Sequence, residues 1–234
     1  MSTQVQVVRE DDAFATITLT RAHRTITLVG VMHVGPEQYW KDTQAELDAL
    51  EDAGTLIHCE GVGSADVRGM RNRARLSLMR VVTRSVSLWL RGVCGWKTQR
   101  VLTYPSSWQR HDLPSDLALG STTTRKLISV ALLALIASPV AAWLLRTGRL
   151  TLFDVEATSN DLDVLDARNR YAITQALSAC TDVALLWGAA HLPGMVALLE
   201  AEGFTVTNVT WRQFWPAGQK PARRHPSAAP AAAA

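Results

Sequence analysis

The first clear pattern in the chain is a pair of runs in which apolar and polar residues alternate. Residues 14–20 read Phe-Ala-Thr-Ile-Thr-Leu-Thr, and residues 25–30 form a similar run after the short polar segment 21–24. Period-two alternation rich in Thr, Ile and Val is typical of half-buried β-strands. A polar break this short predicts a β-hairpin, so we expect the chain to enter its fold through two antiparallel strands.

The second run leads into the turn Gly30-Val31-Met32-His33, after which the pattern becomes helical. Pro36 suits the first turn of a helix over 36–52, whose apolar residues recur at near-helical spacing. Residues 55–60 have the composition of a strand that ends in Glu60. This segment predicts a β-turn-α-β unit, in which the glycine permits a sharp exit from the sheet and the histidine lies where the helix begins.

A second segment near the other end of the chain has the same order of elements. A strand over 183–187 leads into the turn Gly188-Ala189-Ala190-His191, Pro193 opens a helix, and a strand over 204–209 follows. Such units favour parallel strands joined by right-handed crossovers, and ligands bind beyond the carboxyl ends of strands in open α/β sheets. We therefore predict an α/β fold with a mixed, largely parallel central sheet built from both units.

The region between the units, about 64–150, differs in composition and predicts a mainly helical insertion. From Arg68 to Arg110 it contains ten Lys or Arg residues and no Asp or Glu. Four arginines in this stretch lie seven, four and seven residues apart, which gives one helix a basic face: Arg73, Arg80, Arg84 and Arg91. We favour a solvated face over an anionic membrane surface, which stays open as a partner, and we expect no nucleic acid.

An uncharged stretch of nineteen residues, Leu127 to Leu145, lies later in the insertion and is just long enough to span a bilayer. We favour a buried helix inside a helical cap, or two helices broken at Ser138-Pro139, because Pro139 and five alanines weaken a membrane span. A single crossing would also place the two histidine turns on opposite sides of the membrane. A re-entrant or surface-lying helix would avoid that conflict.

Residues 159–179 have the pattern of a helix with a buried stripe, and Ser159 or Asn160 suits its N-cap. Asn169 falls on that stripe and Arg168 stands beside it. A buried amide needs hydrogen-bond partners, so this position asks for an explanation. From about residue 216 the Ala- and Pro-rich sequence predicts a disordered tail without chemistry.

The overall composition indicates one sizeable α/β domain with length to spare for an insertion, because the chain has 234 residues and is 47% hydrophobic. The net charge of +3 is too small to imply a nucleic-acid partner. Three widely spaced cysteines argue against a disulfide framework. The first twenty residues lack the pattern of a secretory signal, so we expect a cytoplasmic protein, with peripheral or integral membrane attachment left open.

His33, Glu60 and His191 are the candidate chemistry, since all three are predicted at carboxyl ends of strands. A lone histidine is more often a structural residue, but two copies of the same turn favour one composite site. Two neutral imidazoles and a carboxylate suit a divalent transition metal such as Zn, Mn or Co with an open coordination position. General base is the competing role for Glu60, and Arg168 would hold a substrate carboxylate or an oxyanion.

The other histidines lack this arrangement, and we interpret them as structural or solvent-exposed: His23, His58, His111 and His225. Cys59 would point to the face of its strand opposite Glu60, which favours core packing over nucleophilic chemistry. The sequence contains no G-x-S-x-G, Walker A or G-x-G-x-x-G pattern, so it supports neither a serine hydrolase nor a nucleotide-binding enzyme.

The chain resembles the TraB/Tiki superfamily in four short motifs that occur in the family's order. These are Gly30-Val31-Met32-His33, Glu60 in His-Cys-Glu-Gly, Arg168-Asn169-Arg170, and Gly188-Ala189-Ala190-His191. The resemblance implies an α/β fold with the motif residues on one side of the sheet and, by similarity to the Tiki branch, a metal-dependent peptidase. The superfamily also includes esterase and haem-binding activities, so the fold alone does not fix the reaction.

The leading hypothesis is therefore a metal-dependent, peptidase-like hydrolase in which His33, Glu60 and His191 bind the metal and Arg168 and Asn169 orient a peptide or small-molecule substrate. The alternative is a non-catalytic, membrane-associated ligand-binding module. We divide the chain into a first half of the α/β domain (1–63), the insertion (64–150), the second half (151–215) and the tail (216–234). Oligomeric state is left open.

Overall fold

A computed structural model describes residues 13–61, 70–112, 124–147 and 162–215, and it shows a mixed α/β fold. The strands are β1 (Ala13–Arg21), β2 (Arg24–Val31), β3 (Val34–Gly35), β4 (Leu56–Cys59), β5 (Lys97–Thr98), β6 (Gln109–Arg110), β7 (Val183–Gly188) and β8 (Thr205–Gln213). The α-helices are α1 (Glu37–Asp52), α2 (Met70–Cys94), α3 (Thr124–Arg146), α4 (Leu162–Ser178) and α5 (Leu192–Ala201). Short 3₁₀ helices cover Gln99–Val101 and Ala189–His191.

Six strands form the central sheet in the order β6-β4-β7-β2-β1-β8. The pairs β2–β7, β4–β7 and β4–β6 are parallel, while β1 pairs antiparallel with both β2 and β8. The predicted largely parallel sheet and the predicted hairpin are therefore confirmed. Strands β2 and β4, which belong to the first β-turn-α-β unit, do not pair with each other, because β7 lies between them.

Apolar side chains cover both faces of the sheet. One core cluster joins the sheet to α1 and to the ends of α2 and α3, through Leu47, Leu90 and Leu145 among others. The opposite cluster joins it to α4 and α5, through residues such as Ile173 and Met195. Both faces of the central strands are thus removed from water, which explains why β7 is buried along its whole length.

The predicted ends of the first and last helices agree with the structure. Pro36 precedes α1, and Gly54 follows it with a positive φ of 83°. Gly203 has the same φ after α5. Glycine is favoured at such a left-handed position because other residues are strained there. The proposed N-caps at 159–160 and the tail from 216 lie outside the described residues.

The inserted region is not a separate appendage of the sheet. Its strand β6 extends the central sheet beside β4, with His58 opposite Gln109 and Cys59 opposite Arg110. Its strand β5 pairs with β3, next to the first histidine turn. The mainly helical character of the region holds for α2 and α3, while the segment between them supplies strands that shape the edge where the candidate residues lie.

Helix α3 is continuous through Pro139, so the predicted alternative of two helices broken at Ser138-Pro139 is wrong. The Ser138 hydroxyl donates to the Ala134 carbonyl one turn earlier. Among the described residues, the helix packs against α2 along one side, and Ile136 on its outer side is 73% exposed. The interpretation of a buried helix therefore holds for its inner face alone. Among the described residues, no helix is long and apolar enough to cross a bilayer.

Candidate functional site

The two histidine turns leave neighbouring strands of the sheet. Strands β2 and β7 run parallel, with Gly30 opposite Trp187 and Val31 opposite Gly188. Their carboxyl ends therefore lie side by side. A Cβ on Gly30 would stand 2.8 Å from Leu192 Cδ2 and 2.9 Å from the Ala15 carbonyl oxygen, so close packing rather than an unusual backbone angle requires this glycine.

Only the second histidine lies where a helix begins, as predicted. His191 is the residue immediately before α5. His33 instead precedes the short strand β3, and its carbonyl accepts a 3.0 Å hydrogen bond from the Gln99 amide. The expectation of two equivalent turns is therefore wrong for the first one, because pairing of β3 with β5 holds that turn away from the helix start.

Glu60 reaches the site from β4, on the other side of β7. Its Oε2 accepts a 2.9 Å hydrogen bond from the Gly188 amide, which fixes the carboxylate against the end of β7. A Cβ on Gly188 would lie 3.4 Å from His33 Nε2 and 3.5 Å from Glu60 Oε2. This glycine therefore leaves space for the carboxylate and the imidazole beside it.

Both imidazoles are oriented by side-chain amides. His33 Nδ1 lies 2.8 Å from Gln99 Oε1, and His191 Nδ1 lies 2.6 Å from Asn169 Oδ1. An amide oxygen only accepts hydrogen bonds, so each Nδ1 carries a proton and each Nε2 of a neutral ring keeps its lone pair. His33 Nε2 lies 3.7 Å from Glu60 Oε2, and His191 Nε2 lies 3.9 Å from Glu60 Oε1.

Asn169 is explained by this contact, since it is buried and orients His191. Its neighbour Arg168, which the sequence predicts to hold a substrate group, instead pairs with carboxylates of the protein. The Arg168 Nε and Nη2 groups donate to Asp112 at 2.9 and 2.6 Å, and Nη2 also donates to Glu60 Oε1 at 2.5 Å. Nη1 lies 3.3 Å from His191 Nε2. These protein carboxylates raise the pKa of Arg168 despite its burial.

The charge state of the site follows from these neighbours. Burial alone raises the pKa of Glu60, but His33, Arg168 and His191 together with the Gly188 amide outweigh it and lower the pKa to about 2. Burial lowers the pKa of His191 to about 4, and Arg168 adds to this while Glu60 opposes it. At neutral pH the site therefore contains an ionised Glu60 beside a neutral His191.

Exposure differs sharply between the two histidines. The His33 side chain is 60% exposed, whereas the side chains of Glu60 and His191 are 10% and 4% exposed. His33 and Glu60 both line a cavity of about 790 Å³ that opens on this edge of the sheet. Solvent and ligands therefore reach the site from the His33 side.

Sequence reasoning missed Asp112 and Gln99. Asp112 follows β6 and neutralises Arg168, while Gln99 opens the 3₁₀ helix after β5 and orients His33. Both belong to the insertion, so the insertion contributes directly to the site. The available signal was the position of Asp112 directly after a long stretch without acidic residues.

The histidines and the cysteine that we interpret as structural or solvent-exposed lie outside the site, as far as they belong to the described residues. His23 lies exposed in the β1–β2 turn, and Cys59 is fully buried in the core. His58 is also buried, with its ring centroid 4.3 Å from that of His111. Neither His58 nitrogen has a hydrogen-bond partner in the described structure. His225 lies outside the described residues.

The two imidazoles and the Glu60 carboxylate are suitable ligands for a divalent metal, but their nitrogen and oxygen atoms lie too far apart to coordinate one ion. Two ligands at Zn²⁺ bonding distances in a tetrahedral site lie roughly 3.3 Å apart, whereas the two His–Glu60 separations are 3.7 and 3.9 Å. In the described part of the chain, no group of three or more His, Cys, Asp or Glu residues could hold a metal ion as it stands. A contraction of about half an ångström toward Glu60 and loss of the Arg168–His191 contact would be needed.

Comparison of the chain with protein-family models, with curated proteins and with solved structures finds no match.

Proposed function

We propose that this chain is a hydrolase of the TraB/Tiki type, and that His33, Glu60 and His191 hold a divalent transition metal at its active site. The observation that carries the proposal is the convergence of both imidazole Nε2 atoms on the Glu60 carboxylate. A peptide or amide bond is the proposed target. The support for that target is the motif resemblance, which now corresponds to residues that lie together in space.

The low pKa of Glu60 favours a role as a metal ligand over a role as a general base. A carboxyl group with a pKa near 2 is a weak base at neutral pH. It is also a permanent anion that can compensate a bound cation. When bound, the metal would polarise the scissile carbonyl and lower the pKa of a water molecule. Each histidine already donates its Nδ1 proton to an amide oxygen, which is how metal-binding imidazoles are usually oriented.

Arg168 and Asn169 act in this proposal as positioning residues. Asn169 fixes the tautomer of His191, and Arg168 holds Glu60 between its own guanidinium and the Gly188 amide. The Asp112 carboxylate balances the guanidinium charge. Arg168, Asp112 and Glu60 therefore carry one net negative charge beside neutral His191, which favours a cation.

The test combines metal binding with hydrolysis in the same preparations. Zn²⁺, Mn²⁺ and Co²⁺ are titrated calorimetrically into the wild type and the His33→Ala/His191→Ala variant, and each form is then incubated with a mixed peptide pool analysed by mass spectrometry. The wild type should bind one equivalent of metal and cleave peptides. The double variant should remain folded by circular dichroism and do neither.

His23→Ala is the matched control, because His23 is an exposed histidine outside the site. It should behave as the wild type. Equal metal stoichiometry in the wild type and the folded double variant would overturn the metal assignment. Failure of the wild type to cleave any peptide with any of the three metals would overturn the peptidase assignment.

A second candidate function is a non-catalytic module that docks on an anionic membrane surface. Its support is the set of large apolar side chains that α2 and α3 leave exposed: Val81, Leu88, Trp89, Ile128, Leu132, Leu133, Leu135, Ile136, Val140 and Trp143. Exposed arginines at 84, 91 and 125 lie on the same two helices. Apolar insertion combined with cationic attraction is typical of peripheral membrane binding.

Vesicle flotation tests this second function without deleting the insertion, which would remove Asp112 and Gln99 from the site. The protein should float with phosphatidylglycerol vesicles and not with phosphatidylcholine vesicles. Leu133→Ser/Ile136→Ser should abolish flotation, whereas Val101→Ser, which changes an exposed apolar residue outside the two helices, should not. Flotation that is absent in the wild type, or that survives the double substitution, would contradict membrane docking through these helices.

A further inference from the structure

Four of the twelve described residues that line the cavity beside Glu60 are arginines. Arg84 and Arg91 enter it from α2, Arg100 from the 3₁₀ helix and Arg110 from β6. Among the described residues that line the cavity, Glu60 is the one that is acidic. A volume of about 790 Å³ lies within the range of small-molecule sites and is too large for a single small ion.

These four arginines differ from the arginines that stabilise the fold. Arg168 pairs with Glu60 and Asp112, and Arg212 pairs with Glu46. In contrast, no carboxylate of the described residues forms an ion pair with any of the four cavity arginines. Because Asp112 already balances Arg168, Glu60 sets one negative charge against four guanidinium groups, and an excess of positive charge faces the cavity.

Three separate parts of the fold bring the arginines together. Arg84 and Arg91 are seven residues apart in α2, which places them on one face of the helix. Arg110 packs its side chain beside Gly61, and its guanidinium carbon lies 5.7 Å from the centre of the Tyr104 ring. Aromatic contact and planar donors make guanidinium groups well suited to bind oxyanions.

We propose that this cavity binds an anionic part of the substrate, a phosphate or carboxylate group placed next to the bond that is cleaved at Glu60. This inference rests on the proposed hydrolase function, and the arginines of the cavity narrow the substrate class to molecules that carry an oxyanion. The apolar Leu88 side chain also lines the cavity, so a substrate with both an anionic and an apolar part is accommodated.

The experiment measures binding of inorganic pyrophosphate by calorimetry at low ionic strength, with protein and buffer passed over a chelating resin beforehand so that no metal bridges the anion. The wild type should bind, and its affinity should fall as salt is raised. Arg91→Gln/Arg110→Gln should weaken binding at least tenfold. Lys41→Gln/Arg125→Gln removes the same number of charges from exposed positions outside the cavity and should change affinity less than twofold.

The outcomes separate this proposal from the hydrolase proposal. The variant His191→Ala, expected to be inactive, changes a residue that does not line the cavity and should still bind pyrophosphate, so anion binding survives even where hydrolysis is absent. No binding by the wild type would overturn the anionic cavity. Equal loss in the cavity variant and in the control variant would also overturn it, because general electrostatic attraction would then explain the result.

Competition with lipid vesicles distinguishes the source of the oxyanion. If pyrophosphate displaces the protein from phosphatidylglycerol vesicles, and Arg91→Gln/Arg110→Gln reduces both interactions, the group is a lipid headgroup. If the same variant loses pyrophosphate but still floats with those vesicles, or if the wild type does not float, the group belongs to a water-soluble substrate. Either result supports the cavity as an oxyanion site.

Discussion

Gly194→Ala tests how the second histidine is held. Gly194 lies in α5, three residues after His191, and a Cβ at this position would stand 2.4 Å from Asn169 Nδ2. Real Cβ atoms do not approach other atoms so closely, so Asn169 must move. Its opposite end holds His191 Nδ1 at 2.6 Å, and the side chain is buried. The substitution should therefore break the Asn169–His191 hydrogen bond.

The expected change in the free energy of unfolding on Gly194→Ala follows from three contributions. Replacing glycine by alanine inside a helix stabilises by about 1 kcal/mol. Overpacking at a buried contact costs about 1–3 kcal/mol, and leaving a buried hydrogen-bonding group unsatisfied costs about 1–3 kcal/mol. The two costs outweigh the gain, so Gly194→Ala should destabilise the protein by about 1–5 kcal/mol.

Gly92→Ala provides the matched control, since Gly92 is also helical and a Cβ there would meet nothing within 4 Å. It should stabilise the protein by roughly 0.5–1 kcal/mol. Urea unfolding of both variants measures the difference, and nitrogen-15 NMR of the imidazoles reports whether His191 keeps its proton on Nδ1. A Gly194→Ala protein as stable as the wild type, with that tautomer unchanged, would refute the proposed packing.

Two further predictions concern charge. Burial lowers the pKa of His58 and of His191 to about 4. As the pH falls, the unfolded chain binds protons at these histidines first, near pH 6.5, so the free energy of unfolding is highest above that pH and decreases toward pH 4. The decrease between pH 7 and pH 5 should be about 2 kcal/mol for each histidine. His58→Leu should remove roughly half of this loss in urea unfolding measured at both pH values. Asp112→Asn removes the charge of one of the two carboxylates that pair with Arg168 and should destabilise the protein by about 2 kcal/mol, measured by the same method at pH 7.

Two exposed residues, His23 and Asp42, provide the controls for these predictions. His23→Leu changes an exposed histidine and should leave the pH dependence as in the wild type. Asp42→Asn changes an exposed carboxylate and should cost less than about 0.5 kcal/mol. Stability that is flat between pH 7 and pH 5 would contradict the buried neutral histidines. An Asp112→Asn variant as stable as Asp42→Asn would contradict the ion pair with Arg168.

Local patterns predicted the elements well because their signals lie within short windows. Period-two alternation located the β1–β2 hairpin, and proline and glycine marked both ends of α1. The matched Gly-x-x-His turns also indicated residues that lie together in space. These features depend on neighbours a few residues apart, which a single sequence contains.

Long-range pairing could not be predicted in the same way. The insertion of β7 between β2 and β4 brings Glu60 to the Gly188 amide, and it depends on contacts more than one hundred residues apart. Asp112 reaches Arg168 only because β6 pairs with β4. For the same reason the sequence suggested a free Arg168 where the structure shows a guanidinium held by two carboxylates.

The direct test of the composite site is a Zn²⁺ titration followed by NMR of the histidine side chains. Because both Nε2 atoms face Glu60, the resonances of His33 and His191 should change together and reach completion at one equivalent, while those of His23 and His111 should not change. Glu60→Gln should weaken the response of both rings. Independent titration of the two histidines, or no response from either, would contradict a single metal site built from both turns.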